Sequence, residues 1–112
     1  MDLDSLEVLL AVAEEKSFSR AAERLHRTQP AVSQTIKRLE NDLGQVLIDR
    51  SSKDGTLTPA GTLLIGFAKR MLNLRTTARA AVSELKNLNR GRVTISANEH
   101  LIFYLLPLIK KF

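Results

Sequence analysis

Thr28-Gln29-Pro30-Ala31-Val32-Ser33-Gln34-Thr35-Ile36-Lys37-Arg38-Leu39-Glu40 decides the fold, together with the segment before it, Ser17-Phe18-Ser19-Arg20-Ala21-Ala22-Glu23-Arg24-Leu25-His26-Arg27. The pattern predicts a short helix, a tight polar turn and a second helix running to about Leu43. At 3.6 residues per turn, Val32, Ile36, Leu39 and Leu43 fall within roughly 60° of each other and form a core face. Pro30, Gln34, Lys37 and Arg38 fall on the other side, with Gln29 and Ser33 on a flank near the helix start. Thr28 suits the N-cap, because its hydroxyl accepts from an orphan backbone N–H. Pro30 is tolerated in the first turn, and Gly44 suits a left-handed C-cap.

The outward groups divide by chemistry. Gln29, Ser33 and Gln34 can donate and accept at base edges in a major groove, while Pro30 and Ala31 offer apolar contact to a thymine methyl. Arg27, Lys37 and Arg38 suit phosphates, which position a protein without reading sequence. The period alone leaves a second reading open, an ordinary amphipathic helix with a solvated polar face.

Working outward, Asp2 or Asp4 caps a first helix to about Lys16, with Leu3, Leu6, Leu9, Leu10 and Ala13 on its apolar side. Ser17 or Ser19 caps the short second helix, whose Phe18, Ala21, Ala22 and Leu25 face inward. After Gly44, Val46-Leu47-Ile48 and Thr56-Leu57 flank the turn signal Ser51-Ser52-Lys53-Asp54-Gly55. This reads either as a β-hairpin or as an irregular loop.

Thr58-Pro59 opens a long helix. Along it Ala60, Leu64, Phe67, Met71, Leu74, Ala78, Ala81, Leu85 and Leu88 step by fours and threes as a heptad seam. A partner chain, or the chain's own domain, would cover that seam. Asn87 to Gly91 ends the helix. Arg92 to Ala97 then alternates as a strand, and Leu101 to Phe112 reads as an amphipathic helix interrupted at Pro107. One strand and one helix bury little, so the end reads as a cut through the start of another domain.

The chain has 112 residues and a net charge of +5, which points to an anionic partner. The distribution says more. Residues 1–16 carry five acids against Lys16 alone, whereas residues 17–40 carry five bases against Glu23 and Glu40. Residues 59–92 carry seven bases against Glu84. The first helix is therefore expected to face away from phosphate. Without cysteine there is neither a disulfide frame nor a thiolate metal site. His26 and His100 are too few for a histidine site, and no metal is expected. No secretory signal or membrane-length apolar run is visible, so a soluble cytoplasmic protein is expected. No catalytic residue is assigned: neither a nucleophile–base pair nor a phosphate-cradling glycine loop is present.

The combination of Ser17 to Ala22, Leu25, Thr28 to Ser33, Ile36, Leu39-Glu40, Leu43-Gly44, Leu47 to Arg50 and Leu57 to Gly61 resembles the N-terminal region of LysR-type transcriptional regulators. The resemblance is dense over residues 3–61. It implies a mainly α fold: a winged helix-turn-helix of three helices plus a short hairpin wing over 1–58, then a linker and dimerisation helix over 59–88. Residues 89–112 would be a hinge and the truncated start of an effector-binding domain. It also implies bacterial origin, double-stranded DNA as partner, and a homodimer through antiparallel linker helices, with higher oligomers open to a longer chain. By position, Gln29, Pro30, Ala31, Ser33 and Gln34 match the groove-reading helix. Lys37, Arg38, Arg50 and Lys53 match backbone or minor-groove contacts, with Arg27 an added phosphate contact. Ser17, Ser19 and Thr28 match caps near the DNA backbone. Leu64, Phe67, Met71, Leu74, Ala78, Ala81, Leu85 and Leu88 match the dimer seam. Ile48 stands where the family usually has phenylalanine. No cofactor is expected in this region; a small-molecule inducer would bind the effector domain.

Two functions follow from different classes. One is a sequence-specific DNA-binding transcription regulator, represented by its DNA-binding and dimerisation region. The other is a truncated interaction module that hetero-oligomerises with full-length relatives through the same seam. The outward glutamines and bases of the third helix favour the first.

Overall fold

Asp2 starts the first helix: its carboxylate accepts from the Ser5 amide at 2.8 Å, and α1 runs Leu3–Glu15. The computed structural model describes residues 1–51 and 55–88. Lys16 closes α1 in the left-handed region with φ 54°, its amide donating to the Val12 carbonyl. Ser17 caps α2 (Phe18–Leu25) by accepting from Arg20 N at 3.1 Å. His26, again left-handed, ends α2 and leads into the turn. Thr28 caps α3 (Gln29–Leu43) by accepting from Ala31 N, and Gly44 at φ 66° ends it.

These three helices pack on one another around Leu6, Leu9, Val12, Ala21, Val32, Ile36 and Leu39, all buried. Ala21 and Ala22 allow the close crossing because they carry no bulk beyond Cβ. Two short strands follow, β1 (Ile48–Asp49) and β2 (Thr56–Leu57). They pair antiparallel with Ile48 opposite Leu57. Ile48 is fully buried, so the site stays apolar despite the smaller side chain. Of the two readings of this segment, the hairpin is the one observed. It is shorter than the apolar run Val46–Ile48. The Thr58 hydroxyl donates to the Val46 carbonyl at 2.6 Å, and the Thr58 amide donates to the Leu47 carbonyl at 2.9 Å, in register with the Ile48–Leu57 pair.

The same Thr58 hydroxyl accepts from Gly61 N at 3.1 Å and opens α4 (Pro59–Leu88). Gly61 is buried against the chain that leads into β1: a Cβ there would overlap the Leu47 carbonyl oxygen and crowd Leu57. Absence of a side chain is what lets α4 dock. Ala68 is buried one face further along, and Ala60, Leu64, Ile65 and Met71 pack at the edge of the core. Met1–Asn73 forms one compact unit; residues from Leu74 onward form a second, of which α4 up to Leu88 is described.

One expectation is corrected here. Leu43, expected on the core face, is 40 % exposed. With Gln45, Leu47, Ala60, Leu63, Leu64 and Phe67 it lines an apolar groove of about 400 Å³. The heptad seam, whose cover the sequence leaves open, is divided. Ala60, Leu64 and Met71 lean on the chain's own core, while Phe67, Leu74 and Leu85, joined by Leu63 and Val82, remain exposed. The strand at 92–97, the helix from Leu101 and the hinge fall outside the described residues.

Candidate nucleic-acid interface

α3 is buried along Val32, Ile36 and Leu39 and exposed along Gln29, Pro30, Ala31, Gln34, Lys37 and Arg38. Ser33 is half-buried on the flank. The caps at Thr28 and Gly44 fix both ends of this helix, and α1 and α2 hold its apolar side. The first turn also carries the partial positive charge of unpaired backbone N–H groups. The exposed side chains of that turn are uncharged and small, so they can approach a polyanion without repulsion or clash. One turn on, Lys37 and Arg38 are exposed, and no ion pair is seen at either among the described residues.

The other expected contacts divide differently. Ser17 and Thr28 serve as caps, with their oxygens turned to backbone amides. The Ser19 hydroxyl donates to Gln29 Oε1 at 3.1 Å, joining α2 to the start of α3. Arg27, expected to meet phosphate, grips Asp4 with both guanidinium nitrogens, at 3.1 and 2.5 Å. Asp4 stands on the acidic first helix and draws the head inward. The Arg27 side-chain hydrogen bond holds the Asp4 carboxyl below its usual range, so the pair stays charged at neutral pH. Arg24 is held in the same way, by Glu14 at 2.9 Å and Glu15 at 3.2 Å, and clamps α2 to α1.

Arg50, expected at the DNA backbone or minor groove, is also paired within the fold. Its Nη1 donates to Glu40 Oε1 at 2.9 Å, and its head lies over the Phe18 ring, 5.5 Å from the centroid. Nη2 reaches toward the Ser33 carbonyl at 3.4 Å. The other Glu40 oxygen accepts from Leu47 N at 2.8 Å and Ile48 N at 3.3 Å. Burial pushes the Glu40 carboxyl up, but the bonds from Leu47, Arg50 and Ile48 outweigh it and hold the group below its ordinary value. Arg50 therefore ties the hairpin base to α3 and α2, and its charge is matched inside the protein. Lys53 lies outside the described residues.

Glu40 was missed as a functional position. Its signal was present: it follows Ile36 by four residues, which puts an acid on the apolar side of α3. An acid there needs buried donors, and the next donors along the chain are Leu47, Ile48 and Arg50.

Two capped helices joined by a tight turn, the second exposing a polar face, with a two-strand wing behind it, define a winged helix-turn-helix. Residues 3–62 match the family model of the bacterial regulatory helix-turn-helix proteins of the lysR family. The chain belongs to that family and carries its helix-turn-helix region. It is 44 % identical over 107 residues to an HTH-type transcriptional regulator from the ibpB-leuC intergenic region of Azotobacter vinelandii, a match covering 96 % of this chain and 74 % of that one. It is 41 % identical over 105 residues to the probable RuBisCO transcriptional regulator of Gracilaria tenuistipitata var. liui, covering 94 % of this chain and 34 % of the relative. This chain thus spans about a third of the length of that regulator. Among solved structures, the BenM DNA-binding domain bound to benA site 1 DNA aligns with a TM-score of 0.73 at 33 % identity, covering 75 % of this chain and 98 % of that domain. Vibrio fischeri DarR in complex with DNA aligns with a TM-score of 0.74 at 39 % identity, covering 79 % of this chain and 30 % of DarR.

Proposed function

We propose that this chain binds double-stranded DNA as a homodimer and chooses its sites through the N-terminal half of α3, as the reading part of a cytoplasmic transcription regulator. Residues 1–58 would form the reading domain and 59–88 the dimerisation helix. The observation that carries the reading is the division of labour among the polar residues. Arg24, Arg27 and Arg50 are paired within the fold, whereas Gln29, Gln34, Lys37 and Arg38 stand together on one exposed helix face. Gln29, Ser33 and Gln34, with Pro30 and Ala31 beside them, would read base edges; Lys37 and Arg38 would meet phosphates. The solved DNA complexes of BenM and DarR, similar in fold and sequence, support DNA as the partner. The exposed side of α4 would meet a second copy. No chemical step is assigned to the chain, and no described helix is long and apolar enough to cross a membrane. An interaction module alone would account for α4 and leave the polar face of α3 without a role.

Two substitutions separate base reading from charge attraction. Gln29→Ala should cost roughly 1–3 kcal/mol on the preferred site and relax choice at one base position. Lys37→Ala should weaken every sequence alike and lower the magnitude of the salt slope by about one unit. Titrations on preferred and random duplexes at several salt concentrations measure both. Equal losses on the two duplexes for Gln29→Ala would remove it from the base edges; an unchanged slope for Lys37→Ala would remove it from phosphate.

A further inference from the structure

Ser19 and Gln29 are both exposed, yet the Ser19 hydroxyl donates to Gln29 Oε1 at 3.1 Å across the helix-turn-helix. Ser19 is not needed as a cap, since Ser17 already accepts the Arg20 amide. A glutamine amide carries an oxygen acceptor and a nitrogen donor of similar size. In a major groove, adenine sets an N7 acceptor beside an N6 donor, and the amide satisfies both only when it is well placed.

The backbone around Gln29 is already restricted. Thr28 caps the helix, and Pro30 has a locked φ and limits the residue before it. What remains is the side chain. Resting on the proposed base-reading role of Gln29, we infer that Ser19 is a positioning residue that anchors the Gln29 side chain and holds its amide in place for base contact. The second lone pair of Oε1 stays open to a base donor, so the bond anchors the amide without consuming its reading edge. Ser19 thereby contributes to base choice without touching a base.

The test puts Ser19→Ala, Ser19→Thr and Gln29→Ala through selection of binding sites from random duplex DNA, with titrations on unselected DNA and thermal melts alongside. In Ser19→Ala, discrimination should fall about two- to tenfold at the same base position that Gln29→Ala relaxes, the range expected for one hydrogen bond. Melting temperature should stay at the wild-type value, and any loss of affinity for unselected DNA should be smaller than the loss on the selected site. Ser19→Thr, which keeps the hydroxyl, should keep the wild-type preference. Unchanged preferences in Ser19→Ala would overturn the inference. So would an equal loss on selected and unselected DNA, which would make Ser19 a backbone contact. Wild-type preferences in Gln29→Ala would instead remove the base-reading role of Gln29, and the positioning role with it.

Discussion

Glu40→Ala is expected to lower folding stability by about 2–4 kcal/mol, more than any surface substitution on this chain. Breaking a buried ion pair by removing one partner costs about 3–5 kcal/mol, and a third-exposed partner reduces that. Glu40 is 8 % exposed and the Arg50 side chain 33 %. The loss would strand the Leu47 and Ile48 amides as well as the Arg50 head, and a stranded buried donor alone costs about 1–3 kcal/mol. The same group gives a pH signature. Its folded carboxyl sits below the ordinary value, so its contribution is complete above the unfolded pKa of about 4.3 and is lost as pH falls through the folded value. Urea unfolding between neutral pH and pH 3 should therefore show an acid-side loss below about pH 4.5 that is smaller in Glu40→Gln than in wild type. Asp2, Asp4 and Asp49 are also held low, so the difference between the two curves, not either curve alone, isolates Glu40. Parallel acid limbs would show that the carboxylate contributes nothing there.

The second large effect concerns the dimer. Leu74→Asp combined with Val82→Asp should give a folded monomer that binds its site about 10²–10⁴-fold more weakly, the range lost when two linked contacts become one. Leu74 is 65 % exposed and Val82 67 %, which is high for large apolar side chains, and burying one fully is worth about 1.5–3 kcal/mol. In a two-fold dimer each loss counts twice. Met71 lies on the same heptad seam but leans on the chain's own core, so a charge there would disturb that core as well as assembly. Sedimentation gives the oligomeric state and a duplex titration gives the affinity. A double variant that stays dimeric at tens of micromolar would place the interface elsewhere.

The elements were legible because each carries its own punctuation. Ser17, Thr28 and Gly44 were read as caps and act as caps, and the apolar period of α3 picked Val32, Ile36 and Leu39. What escaped was long-range. Nothing local to Arg27 announces Asp4, 23 residues earlier, and nothing local to Arg50 announces that Glu40 has turned inward. Charge alone suggests phosphate contacts for both arginines, and the fold adds an internal acidic partner for each. The cover of the α4 seam stayed open for a related reason. A heptad count records that a face is apolar, but not whether the chain's own core or a second molecule covers it. Gly61, Ala68 and Ile65 show the core taking a neighbouring face that the count did not mark.

The central claim is that the exposed face of α3 chooses a DNA sequence, in duplicate, through a two-fold dimer. Selection of bound duplexes from a random pool by the wild-type chain, followed by titration on the selected and a scrambled duplex at physiological salt, addresses it directly. The account predicts an enriched site with two related half-sites, their centres about 10–10.5 base pairs or a multiple apart. It also predicts affinity at least about 10³-fold above that for the scrambled duplex. A pool without enrichment, or equal affinity for the two duplexes, would contradict it.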